Sequence, residues 1–139
     1  MVILDTNVIS DAMAASRNSN VSRWLSAQSS EQLFTTTISL AEILYGIELL
    51  PSGKRRTGLL ASAETMFARL FANRILTFDE RAARAFPPLA ADRRLRGRPS
   101  TLFDAQIAAI AHANEATLAT RNTSDFEGCG IRLVNPWVD

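Results

Sequence analysis

Four of the chain's fourteen acids, Asp5, Glu42, Asp104 and Asp125, stand in apolar or turn-forming surroundings instead of on charged stretches. Asp5 closes the apolar run VIL, where an unpaired charge is costly. Glu42 lies in SLAEILYG and Asp104 in TLFDAQIAAIA, each with apolar neighbours on both sides. Asp125 follows through the polar segment TRNTSDF. Carboxylates held close together repel, raise one another's pKa and need a cation to stay ionised together. Hard oxygen ligands with no His or Cys nearby suit Mg²⁺ or Mn²⁺. The chemistry open to such a group is metal-assisted: a bound water made acidic, and charge on a reacting phosphate neutralised. The helix dipole by itself also favours acids in first helical turns. The four therefore gain meaning only if the fold gathers them.

Five short apolar or β-branched segments read as strands buried on both faces: residues 2–4, 33–37, 74–78, 117–120 and 131–134. Between them, helical spacing of apolar residues predicts helices over 6–13, 21–28, 39–50, 55–71, 79–94 and 101–113. Asp79 is a good N-cap for the fifth. Strands alternating with helices argue for an α/β fold with a mainly parallel sheet. In such a sheet, strand C-termini and helix N-termini share the edge where ligands bind. Asp5 at the end of the first strand, Glu42 and Asp104 in first helical turns, and Asp125 after the fourth strand are all predicted to meet there. One connection is awkward: two helices separate the third and fourth strands, so the loop RLRGRPST (residues 94–101) must return the chain to that edge.

At 139 residues the chain is long enough for one domain with a substantial core and short for two. A net charge of +1 gives no global case for nucleic acid. One Cys, Cys129, excludes an internal disulfide or a Cys-based zinc cluster. With no signal-like N-terminus and no apolar run near membrane-spanning length, a cytoplasmic chain is expected. His112 is the only His, which excludes a two-His ribonuclease mechanism. Trp24, Phe67 and Tyr45 are expected to pack.

ILDTNVIS, SLAEILYGIELL, LFDAQIAAIA and LATRNTSDF, in this order and spacing, resemble the PIN-domain ribonucleases, and within them the VapC toxins of bacterial toxin–antitoxin pairs. NRILTFDE and the terminal NPW bring the likeness nearest the FitB-like branch. It spans essentially the whole chain, as a single PIN-like domain over 1–139. It implies a three-layer α/β/α sandwich with a central, mainly parallel five-stranded sheet, an acidic pocket for Mg²⁺ or Mn²⁺, and endonucleolytic hydrolysis of RNA. Carried over by motif, Asp5, Glu42 and Asp104 are the shared acids, with Asp5 and Asp104 as metal ligands. In the fourth block some members place an acid directly after TR, where Asn122 stands here, and others before the Phe, where Asp125 stands. Asp125 is expected to complete the site and Asn122 to contact water or substrate. Thr6, Asn7 and Thr120 are expected to orient the carboxylates.

The resemblance also implies a homodimer held in check by a small antitoxin, commonly a ribbon–helix–helix protein through which alone the pair touches operator DNA. The helical hairpin over 39–71, with Leu49, Leu50 and Leu59, is the expected docking surface. Arg94, Arg96 and Arg98 flank Gly97 and either lead RNA phosphates toward the pocket or form a solvated loop. Two other readings stay open: a PIN fold that binds antitoxin and nucleic acid without turnover, and a DNase using the same site. A response-regulator receiver fails for want of a late Lys, since Lys54 is the only one. A haloacid-dehalogenase phosphatase fails because Asn7 stands where its second Asp belongs.

Overall fold

The first strand lies at the centre of the sheet. In the computed structural model, which describes all 139 residues, β1 (Val2–Leu4) pairs in parallel with β2 (Leu33–Thr36) on one side and β4 (Thr117–Ala119) on the other. β3 (Ile75–Leu76) adds beyond β2 and β5 (Arg132–Val134) beyond β4, giving the order β3-β2-β1-β4-β5. Every pairing is parallel, where the sequence predicts a mainly parallel sheet.

Side chains alternate across the strands and feed two separate cores. Ile3 and Leu118 face α5 (Glu80–Leu95) and α6 (Leu102–Ala113), meeting Leu89, Ile107 and Ile110. Leu4, Leu33 and Ala119 face the other way, toward α1 (Thr6–Met13), α2 (Ser19–Ser26), α3 (Thr37–Glu48) and α4 (Lys54–Arg69). Val8, Ile43 and Phe67 fill that side. The result is the expected three-layer α/β/α arrangement.

Caps account for most differences in element ends. α2 starts at Ser19 because the Asn18 side chain accepts from the amides of Asn20 and Val21. α3 starts at Thr37 with no loop after β2, because Thr36 ends the strand and its side chain caps the helix through Ser39 N. Glu42 is therefore in the second helical turn, not the first, and the helix dipole no longer explains it. β3 is shorter than 74–78 because Asp79 N bonds Thr77 O at 2.9 Å and turns the chain off the sheet.

The awkward connection resolves through the direction of α5. Arg81, in its first turn, donates to the carbonyl of Ala113 at the end of α6. Arg93, near its last turn, donates to carbonyls of Ser124 and Glu127, beyond the end of β4. α5 thus runs antiparallel to α6 and delivers the 94–101 loop to the carboxyl edge of the sheet. It does so despite Pro87 and Pro88 in its interior, which remove two ladder donors. Burial of Ala82 and Leu89 against α6 holds it together.

Phe67 packs in the core and Trp24 against it, as expected, but Tyr45 is 65% exposed. It lies on the face of α3 opposite Ile43 and Ile47, which face the sheet. No helix is long and apolar enough to cross a membrane.

Candidate active site

Asp5 takes its position from the sheet and its orientation from the next helix. Its amide donates to Ala119 O at 2.9 Å, continuing the ladder toward β4. Its carboxylate caps α1 by accepting from Thr6 N at 2.8 Å. Thr120, which follows β4, donates its hydroxyl to Oδ2 at 2.8 Å, and Asn7 Nδ2 stands 3.4 Å from the same oxygen. Thr120 Oγ1 also accepts from Asn122 N at 3.1 Å, and Asn7 Oδ1 accepts from Arg121 N at 3.3 Å. The 5–7 and 120–122 segments are thus stitched together behind one buried carboxylate, 5% exposed. Burial pushes the Asp5 pKa above its usual value; the Thr120 and Thr6 bonds oppose this, and the charges of Glu42 and Asp125 add to it.

Glu42 reaches the same place from α3. Thr6 Oγ1 lies 2.9 Å from its Oε1 and 3.0 Å from Ser39 Oγ. A hydroxyl carries one proton, so Thr6 gives it to the carboxylate and receives one from Ser39. Asp104 comes from the first turn of α6, which Thr101 caps by accepting from Asp104 N. Both acids are pushed upward, chiefly by burial. Glu42 is raised further by Asp104, and Asp104 by Asp5.

These three acids open into one cleft of about 570 Å³, together with Thr6, Asn7 and Asn122. Asp125 is not on its wall. It is exposed on the 3-10 turn Thr123–Phe126, close enough for its charge to be felt at Asp5 and Asp104. Phe126, buried, and Arg93, which clamps the carbonyls of Ser124 and Glu127, anchor that turn from below. Arg96 pairs with Asp92 at 3.0 Å and Arg98 with Glu127 at 3.4 Å, both on the surface, and neither lines the cleft. His112 lines a separate hollow beside Gly130.

No carboxylate of the cleft forms an ion pair with Arg or Lys. Like charges gathered without a salt-bridge partner are what a hard cation stabilises. No three acidic side chains form a ready cage. Mg²⁺ keeps several waters and takes one or two carboxylates; here Asp5 feels the charge of Glu42, Glu42 that of Asp104, and Asp104 that of Asp5.

Several participants lay outside the sequence reading: Ser39, Arg93, and the cleft-lining Ser10, Asp11, Arg121 and Trp137. Ser39 was within reach of it, since it sits three residues before Glu42 and so on the same helical face. Asp11 is engaged elsewhere, accepting from Asn18 N at 3.2 and 3.3 Å.

Two substitutions test this scaffold. Thr120→Val keeps the shape and removes the bond to Asp5. Loss of a bond behind a metal ligand typically costs about 10–100-fold in activity or metal affinity, and metal titration should show it with little change in melting temperature. Arg93→Met leaves two carbonyls without a donor and should cost about 2 kcal/mol in urea unfolding. The cost is moderated because Arg93 Nε is itself buried without a partner.

The family model described as PIN domain matches residues 2–128. The chain belongs to the PIN-domain family. This PIN domain is 44% identical over 137 residues to the plasmid stability protein StbB of Pseudomonas syringae pv. tomato, covering 99% of each chain. It is 39% identical to the VapC ribonuclease Y4jK of Sinorhizobium fredii, covering 99% of this chain and 98% of that one. Among solved structures, the crystal structure of FitAcB from Neisseria gonorrhoeae superposes with a TM-score of 0.93 at 34% identity, covering 100% of both chains. The sheet and the two helical layers are thus those of PIN-fold toxin–antitoxin structures.

Proposed function

We propose that this PIN domain is the toxin of a type II toxin–antitoxin pair, a Mg²⁺- or Mn²⁺-dependent endoribonuclease acting in the cytoplasm. One observation carries the reading: Asp5, Glu42 and Asp104, from three elements far apart in sequence, meet in an open cleft, none of them in a salt bridge. The relative named a VapC ribonuclease supports RNA as substrate.

Asp5 and Asp104 would hold the cation, with Asp125 at the rim adding charge through water. A cation held there would supply an acidified water and would offset charge on the scissile phosphate. Glu42, its pKa raised and its orientation fixed by Thr6, takes the proton of the attacking water. Asn7 and Thr120 hold Asp5 in place, and Asn122 presents a polar side chain to substrate or water. Attack by water in line with the 3′ oxygen leaves a 5′-phosphate and a 3′-hydroxyl.

The partner in this reading is a small ribbon–helix–helix antitoxin that bridges the toxin homodimer to operator DNA; a similar structure, FitAB bound to a DNA fragment, supports an antitoxin partner and a link to DNA. An apolar groove runs from Glu42 along Ile43, Ile47, Leu50 and Leu59. It fits an antitoxin segment whose Arg reaches the carboxylates.

The test is cleavage of total RNA by purified, antitoxin-free protein with Mg²⁺ and with EDTA, followed by end-mapping. Discrete cuts bearing 5′-phosphates, lost in EDTA, are expected. A 2′,3′-cyclic phosphate would contradict the mechanism, and cutting of single-stranded DNA alone would replace the substrate.

A further inference from the structure

Ten residues line the acidic cleft, and only one of them is apolar: Trp137. Beside it stands the cleft's only basic residue, Arg121, whose guanidinium carbon lies 5.3 Å from the centre of the indole. A cation next to several carboxylates would ordinarily pair with one. Arg121 pairs with none, and its side chain makes no hydrogen bond. It sits over the indole face, and its N–H groups remain unspent.

The wall is built to stay in place. Trp137 N donates to Asn135 Oδ1 at 2.9 Å, and Trp137 O accepts from Asn20 Nδ2 at 2.8 Å. Asn135 in turn ties the Asp139 carboxylate at 2.7 Å and contacts Arg121 O at 3.4 Å. The backbone of Arg121 is held by Asn7, the neighbour of Asp5. The backbone of Arg121 and the carboxylate of Asp5 are therefore tied to one frame.

We infer that Arg121, seated over Trp137, is the phosphate-binding subsite for the nucleic-acid strand that enters the cleft. A guanidinium presents several donors in a plane that matches a phosphate's oxygens, and the indole face beneath it attracts the cation and keeps it at the cleft wall. The subsite also meets an electrostatic need. A polyanion approaching a wall of carboxylates is repelled, and one fixed cation at the lip offsets that locally. Arg96 and Arg98, the candidates from the sequence, already have acidic partners on the surface; Arg121 has none.

The inference rests on the nuclease reading, and the experiment separates the two. Binding of a short single-stranded RNA of mixed sequence is measured by anisotropy against salt in the Asp5→Asn background with Mg²⁺, where cleavage is blocked. Steady-state cleavage is measured in the otherwise unaltered chain. Arg121→Gln should weaken binding about tenfold and make the slope of log K against log salt shallower by about 0.7, the increment for one phosphate on a single strand. KM should rise with little change in kcat. Arg121→Lys should keep the slope and recover part of the affinity. Trp137→Phe should keep most of both. With Trp24→Phe, Trp137 becomes the only tryptophan, and its fluorescence should change as RNA is added. Unaltered affinity and salt slope in Arg121→Gln, in a chain that cleaves RNA, would overturn the subsite and leave the nuclease standing. A chain that neither binds nor cleaves RNA removes both.

Discussion

Asp5→Asn should lower RNA cleavage by at least about a thousandfold, roughly 4 kcal/mol of barrier at 1.36 kcal/mol per decade. The substitution is nearly isosteric. Its remaining oxygen still accepts from Thr6 N and caps α1, and Thr120 keeps its bond from Asn122 N. What disappears is the charge, and with it the only buried carboxylate that faces the cleft from the central strand. Circular dichroism and the melting temperature in EDTA should show an intact fold. A mutant that retains metal-dependent cleavage near the unaltered rate would remove Asp5 from the ligand set. The same expectation for Asp104→Asn checks the other side of the site, because Asp104 stands on the opposite helical layer.

The second large effect is on stability. Asp5, Glu42 and Asp104 all have folded-state pKa values above the ordinary 3.8 or 4.5, chiefly because burial disfavours their charged forms. The folded chain therefore holds protons that the unfolded chain has already released, and ∂ΔG/∂pH is negative in that interval. Metal-free protein should be most stable below about pH 4, as far as these groups are concerned, and lose that contribution as pH rises through their folded pKa values. Saturating Mg²⁺ should reverse the trend. At a hundred times its Kd an ion that binds only the native state adds about 2.7 kcal/mol, a rise in melting temperature of roughly 10 °C for a chain of this size. The gain should be larger at pH 7 than at pH 4, where protons compete for the same oxygens. Thermal melts across pH, with Mg²⁺ or EDTA, check both signs. In Asp5→Asn the metal-induced rise should shrink, and the metal-free protein should be no less stable at pH 7 than the unaltered chain.

Much of this architecture was open to sequence reasoning because the strands carry their burial on both faces. Val2–Leu4 and Thr6–Met13 came out to the residue, since an apolar run meets a capping Asp with no loop between. Glu42 and Asp104 were visible as acids among apolar neighbours. The start of α3 was not, because Thr36 serves both as the last strand residue and as the cap. Arg121 and Trp137 escaped for a different reason. Their partnership joins the end of β4 to the C-terminal tail, and no local period marks a contact across sixteen residues of turn and strand. Arg96 and Arg98 drew attention by clustering, yet clustering records proximity in sequence, while a wall of the cleft needs proximity in space. Asp125 is the mixed case: the motif placed it near the site, and the turn that Arg93 clamps keeps it on the rim.

The central place of β1 has a bearing on synthesis. Its partner β4 begins at Thr117, so the first strand made waits for nearly the last. At about 5–20 residues per second, a ribosome takes roughly 5–20 s to go from Asp5 to Asp104. Throughout that time the nascent chain holds one or two of its acids without the frame that joins them. On the nuclease reading, the site that would cut RNA is gathered only after α6 has been made, so its activity begins late in its own synthesis.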